Sequence, residues 1–489
     1  SSKSEIFGQI VQRLISNSPN SAYLVQCLDS PEHLLEVIDY LQYLELPVVE
    51  QLMRYAVPKI YGNEIYLDRA IMDARKAFFN RTERAKLNGV AALFYLIMPR
   101  QERTFTQTMS NHDFGSMFNG SFVDAAANED TQHDIFNLMR RGFTQSDIVQ
   151  ADIYFFIPFL LQKSPELSST INDSFIEKLE SITRIDPKQR VKKEEDITLG
   201  TVKTENGETE NEHKKVFAVD GFYEGFPLTI NASIPHFLHC LSQCLRILPD
   251  NIKQSDEWTS ISNTLNTLCD EVSKVDFDYL YDSMDIFQHP DERECIITII
   301  SVLFNHSFLI DKDVALSLFR LYDRIIHKKA EIGKMRKDEL KSELKFPRFM
   351  DLSVLEELFK KLEEENGDYS DNYGIQLYAL ENAKDMISEL SVLRLEMRGE
   401  RIKRVMTLGQ ILYDSYENVK WMESPAGFKT NLSLQDLLTT SLKQLFTFAF
   451  ETYEEKYVKK FMQKMALIKP DEQISDANGL ILKKIKWNL

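Results

Sequence analysis

A chain of 489 residues that is 43% hydrophobic and 27% charged has the balance of an ordinary folded protein, and its length predicts about two to four domains. Only 17 Gly and 15 Pro exclude a sandwich, a propeller or another turn-rich β architecture. The net charge of −17 argues against broad binding to a phosphate backbone, while leaving room for a local basic patch. The five cysteines (Cys27, Cys240, Cys244, Cys269, Cys295) are few and odd in number, which fits reduced thiols better than a disulfide framework. The first residues, SSKSEIFGQIVQ, lack the apolar core of a secretory signal, and no apolar run reaches the length of a membrane span. These features predict a cytoplasmic or nuclear protein with no membrane insertion.

In chain order, Ile6, Ile10 and Leu14, then Leu34, Leu35, Ile38 and Leu41, recur at helical spacing. Ser30-Pro31-Glu32 is a helix opening, with Ser as cap, Pro at the first helical position and Glu in the first turn. Pro47 ends that helix or starts the next, which carries Val48, Val49, Leu52, Met53 and Ala56. Further helices are predicted over Ile65–Phe79, Glu83–Met98, Thr131–Arg141, Ser146–Leu161 and Ser174–Ile182. Between Arg100 and Asp130 the pattern dissolves into Thr, Ser, Asn, Gly and Met, a long surface loop and a candidate contact surface.

The segment Ser30–Leu46 resembles the opening of an F-box, through Pro31, Glu32, Leu34, Leu35, Ile38, Tyr40 and Leu41. With Ile6 to Tyr55 taken whole, it also resembles the back half of a BTB/POZ domain. Both families supply adaptors to cullin ubiquitin ligases, so the resemblance implies a substrate adaptor that grips its partner through Pro31–Tyr55. The same apolar spacing also describes two amphipathic helices inside a larger bundle.

Residues 186–215 hold no aromatic side chain and a dense mixture of Lys, Glu, Asn and Thr, the composition of a disordered charged linker. Within it, Val191-Lys192-Lys193-Glu194 and Val202-Lys203-Thr204-Glu205 match a SUMO acceptor pattern, which points toward the nucleus. After it, two apolar runs around a Gly-containing connection in VFAVDGFYEGFPLTI predict a β-hairpin near 216–230. The remainder reads as helix over Pro235–Leu248, Glu257–Val275, Glu292–Asn305, Asp313–Lys345, Ser353–Glu365, Ile375–Arg398, Arg401–Met422 and Ser433–Met465. No fixed-period motif repeats, which leaves irregular HEAT- or armadillo-like hairpins, or a bundle.

Four features bear on chemistry. His236, His239, Cys240 and Cys244 supply zinc-ligand types at helical spacing, but one continuous helix can hardly surround a tetrahedral ion, so core cysteines and a capping His explain them. The basic tract Arg320 to Lys345, including Arg336 and Lys337, is interleaved with acids in the manner of a salt-bridged solvent face. Arg394, Arg398, Arg401 and Arg404 are spaced to line one helix, weakened at Gly399, where they form a solvated face or grip phosphate or an acidic partner helix. Phosphate-loop, dinucleotide, nucleophile-elbow and HExxH motifs do not occur.

The sequence thus predicts an all-α fold of irregular helical hairpins with one small β-hairpin. Its domains are an N-terminal helical domain over 1–185, the linker over 186–215 and a C-terminal helical domain over 216–489. The predicted role is a non-enzymatic scaffold subunit of a larger assembly, without cofactor or metal. Partner contacts are expected at Arg394, Arg398, Arg401, Arg404, Arg336 and Lys337. A cullin-type adaptor and a nucleic-acid-associated subunit using the tracts at 320–345 and 394–404 are the rival readings.

Overall fold

Helix starts follow the chain's own punctuation. α1 (Pro31–Ile38) begins on a proline, whose missing N–H would have had no helical partner, and carries Glu32 in its first turn. α2 (Leu46–Ile60) again has Pro within its first two positions. α3 (Glu64–Phe78) is capped by Asn63, whose side chain accepts the Ile65 N–H at 3.0 Å. α4 (Glu83–Ile97), α5 (Glu129–Arg140), α6 (Asp147–Lys163), α7 (Ser168–Thr183) and α8 (Ile234–Ile247) follow. α9 (Asp256–Ser273) is capped by Ser255, which accepts the Trp258 N–H at 3.4 Å. The remaining helices are α10 (Pro290–Ser307), α11 (Lys312–Met335), α12 (Leu352–Glu363), α13 (Tyr373–Glu389), α14 (Arg398–Glu417) and α15 (Phe428–Thr452). This computed structural model describes residues 31–98 except 62, 129–183, 226–283 except 229, 286–335, 345–363 except 348, 373–390, 398–417 and 428–452. The fold is all-α, and among the described residues no helix is long and apolar enough to cross a membrane.

The chain divides into two compact units, Ser1–Ile299 and Ile300–Leu489. In the first, α4 is the central helix: every residue from Asn88 to Ile97 is buried, and it packs against α2, α3, α5 and α6. A helix apolar around its whole circumference can only be stable when neighbours surround it. The α3–α4 contact is built from small side chains, Ala70, Ala74 and Ala77 on one helix and Gly89 on the other. Asn88 is the polar exception inside α4. Its amide donates to the carbonyls of Leu41 at 2.7 Å and Leu44 at 2.8 Å, tying the single 3-10 turn Leu41–Tyr43 to the core. Leu34, Leu35, Ile38 and Leu41 are fully buried, with α1 packed on α2 and α3.

Aromatic rings continue this core along the unit. Phe94 of α4 stacks on Phe156 of α6 at 4.2 Å between centroids. Tyr154 of α6 meets Phe237 of α8 at 5.1 Å, and Phe175 of α7 meets Phe237 at 5.6 Å and Trp258 of α9 at 6.1 Å.

The expected division lay at 186–215. That stretch lies outside the described residues, but the helices on either side of it, α6 and α8, are packed together within one unit. The boundary between units falls instead within α10. Of the expected β-hairpin, residues 216–225 lie outside the described residues, and over the described part of 226–230 only a single bridge at Ile230 appears, with no continuous strand. Phe226, Leu228 and Ile230 are nonetheless buried alternately. The chain bends at Pro227 and Leu228, so this burial marks a short irregular segment lying on the core.

In the second unit α12 packs against α13 and α14, and α15 packs against α13 and α14. Leu355, Leu358 and Leu362, Ala379 and Ala383, Leu408 and Leu412, and Leu438, Leu442 and Leu445 are buried in it. One polar node sits beside this apolar core. Tyr378 of α13 donates its hydroxyl to Asn305 Oδ1 at 3.1 Å and meets Ser301 Oγ at 2.8 Å, while the Asn305 amide donates to the Phe349 carbonyl at 2.7 Å.

Candidate functional site

Two surface features stand out, one in each unit. In the second unit, α11 and α13 enclose a groove of about 570 Å³. α11 contributes Phe319, Tyr322, Asp323, Ile326 and His327, and α13 contributes Tyr373, Gly374, Leu377, Tyr378 and Glu381. These are steps of three and four along each helix, so each set is one continuous face. Tyr378 stands between the walls, with its ring 5.4 Å from Tyr322 and 5.8 Å from Phe319. Behind it, Phe304 of α10 closes the cluster at 5.4 Å from Tyr378 and 5.3 Å from Phe319. His327 Nε2 lies 3.4 Å from Asp323 Oδ1 at the more exposed end.

In the first unit, α3 buries its alanines and Phe78 but turns apolar side chains outward as well. Ile65, Met72 and Phe79 are 76%, 52% and 46% exposed. Ile65 and Met72 lie seven residues apart on one stripe of the helix, and Phe79 continues the spacing as its C-terminal cap residue. Arg69 and Lys76 flank the stripe on one side, Asp68 and Arg75 on the other, and all four are exposed. Lys76 is engaged with Asp73 at 2.6 Å and Asp39 at 3.5 Å. Burial pushes the Asp73 carboxyl above the usual range, against the opposing pull of Lys76.

Of the sequence-predicted contact residues, only Arg404 has a described side chain. Arg394, Arg336 and Lys337 lie outside the described residues. Arg398 is the first residue of α14 rather than the last of the preceding helix, and Arg401 follows one turn later. Arg404 is half-buried. In the basic tract, Lys328 pairs with Glu331 at 3.2 Å, the salt-bridged pattern expected there.

The His/Cys constellation lies along α8. Cys240 and Cys244 are buried with their sulfurs 3.9 Å apart, and burial pushes the Cys240 thiol up. His236 Nδ1 donates to the Ala232 carbonyl at 3.2 Å. Burial pulls the His236 imidazole down to about 4 and, with the Arg246 charge, the His239 imidazole down to about 3, so both rings are neutral near pH 7. Among the described residues no three His, Cys, Asp or Glu side chains converge as metal ligands would.

The groove and the outward α3 stripe were both missed from sequence. The stripe had a signal, apolar residues seven apart. The groove had none, because residues 328–372 separate its two walls, which share no common motif. No protein-family model matches the chain, and no curated protein is similar enough to it to count as a relative.

Proposed function

We propose that the chain is a non-enzymatic helical scaffold, an interaction subunit of a larger intracellular assembly. The observation that carries this reading is the exposed stripe of Ile65 and Met72 on α3, continued by Phe79 at its C-terminal cap. Apolar side chains at heptad spacing are one edge of a helix–helix seam, and water is an unfavourable environment for them. Covering them with a partner helix contributes about 1.5–3 kcal/mol per fully buried side chain. Arg69 and Arg75 on the two flanks favour a partner helix with acidic margins.

Site-specific photo-crosslinking tests this reading. A benzoylphenylalanine placed at Met72 should trap a discrete protein adduct in cells, and one placed at exposed Lys163 should not. Adducts of equal yield and identity at both positions, or none at Met72, would argue against it.

A further inference from the structure

We infer that the groove between α11 and α13 is a receptor for a cationic side chain, an arginine or lysine presented by a basic peptide segment. The inference concerns a different unit and a different chemistry from the α3 stripe, and it stands or falls separately.

The ten residues lining the groove include no lysine or arginine, and they place one carboxylate on each wall, Asp323 on α11 and Glu381 on α13. The lysines and arginines of α11 (Arg320, Arg324, Lys328 and Lys329) are absent from the lining, and its one basic residue is His327, 3.4 Å from Asp323. Four of the lining residues, Phe319, Tyr322, Tyr373 and Tyr378, are aromatic. The faces of such rings carry the negative part of their quadrupole, so they attract an alkylammonium or guanidinium group. A planar guanidinium can stack on a ring while its N–H fork addresses a carboxylate, which favours arginine over lysine.

The site is also held ready. Tyr378 is anchored by Ser301 and Asn305, and Asn305 by the Phe349 carbonyl, so the central ring does not have to be ordered on binding. A volume of about 570 Å³ is that of a drug-sized ligand rather than of one ammonium group. The groove therefore has room for the side chain and for neighbouring peptide backbone, which assigns the cation to a peptide rather than to a free small ion.

The test uses the full chain and a fluorescein-labelled Gly-Ser nonapeptide carrying one central arginine, against the same peptide with citrulline, its neutral isostere. Fluorescence anisotropy should give at least tenfold tighter binding of the arginine peptide. The double variant Asp323→Asn with Glu381→Gln should remove that preference without changing the melting curve. Tyr322→Phe should keep it and Tyr322→Ala should weaken it. Equal binding of the two peptides, no saturable binding of the arginine peptide up to millimolar concentration, or a preference that survives the double variant would overturn the inference. Free argininamide competing as tightly as the peptide would overturn the assignment to a peptide. If the double variant unfolds, Tyr322→Phe and Tyr322→Ala decide the matter: equal affinity in both would overturn it.

Discussion

Gly89 of α4 lies so close to the backbone of Phe78 that a Cβ at Gly89 would meet the Phe78 nitrogen and Cα well inside contact distance, at 2.5 Å from the Cα. In an open helix alanine is the better residue by about 1 kcal/mol. Here the sign reverses, because backbone cannot yield as a flexible side chain can. Gly89→Ala should destabilise the first unit by about 3 kcal/mol. Gly333 of α11 has nothing within 4 Å of the place a Cβ would take, and Gly333→Ala should stabilise by about 0.5–1 kcal/mol. Urea unfolding of both variants checks this, and equal effects of the same sign would contradict it.

Tyr378→Phe removes one hydroxyl and leaves the ring. It strips the buried Asn305 Oδ1 of its Tyr378 hydrogen bond and Ser301 of its partner across the helix interface. A loss of about 1–3 kcal/mol in the second unit is expected, read as a lower urea midpoint at unchanged slope. An unaltered midpoint would show that this node adds no stability.

Acid should weaken the first unit through α8. The folded state holds His236 and His239 neutral, with values lowered to about 4 and about 3, whereas the unfolded chain takes up protons near pH 6.5. Between those limits the unfolded state binds more protons, so their contribution is fully present above about pH 6.5 and is lost as pH falls toward 4. The melting temperature should decline over that window, and less steeply in His236→Gln with His239→Gln. Parallel pH profiles for the two proteins would contradict the assignment.

The cysteines of α8 should behave as core residues. Cys240 and Cys244 are buried and face each other, with no converging third ligand among the described residues. The purified chain should carry no stoichiometric zinc by plasma emission spectrometry, and Cys240→Ser with Cys244→Ser should alter stability only modestly. One zinc per chain that disappears in the double variant would refute this.

Helix identity was legible because its signals are local. The expected spans Ile65–Phe79 and Glu83–Met98 fall within a residue of Glu64–Phe78 and Glu83–Ile97. Unit boundaries were not legible, because the meeting of Tyr154 with Phe237 joins residues far apart in sequence and leaves no trace in composition. Most of the expected hairpin lies outside the described residues, and the buried Phe226, Leu228 and Ile230 announce burial but not what lies beside them. Charge drew attention to the Arg/Lys tracts, while the α11–α13 groove depends on which face each helix turns to the other. The outward stripe of α3 was hidden by Leu67 and Ile71, which fill the gaps between its members with apolar residues and blur a seven-residue spacing into general hydrophobicity.

The most direct test of the scaffold role compares the proteins that copurify with the wild-type chain and with Ile65→Glu, Met72→Glu and Phe79→Glu combined. All three side chains are exposed, so folding should be retained, as a matching melting curve would verify. Quantitative mass spectrometry should then show a defined group of partners lost from the variant in constant proportion to one another. A folded variant that retains the full set of partners would contradict docking through α3 and, with it, the observation on which the scaffold role rests.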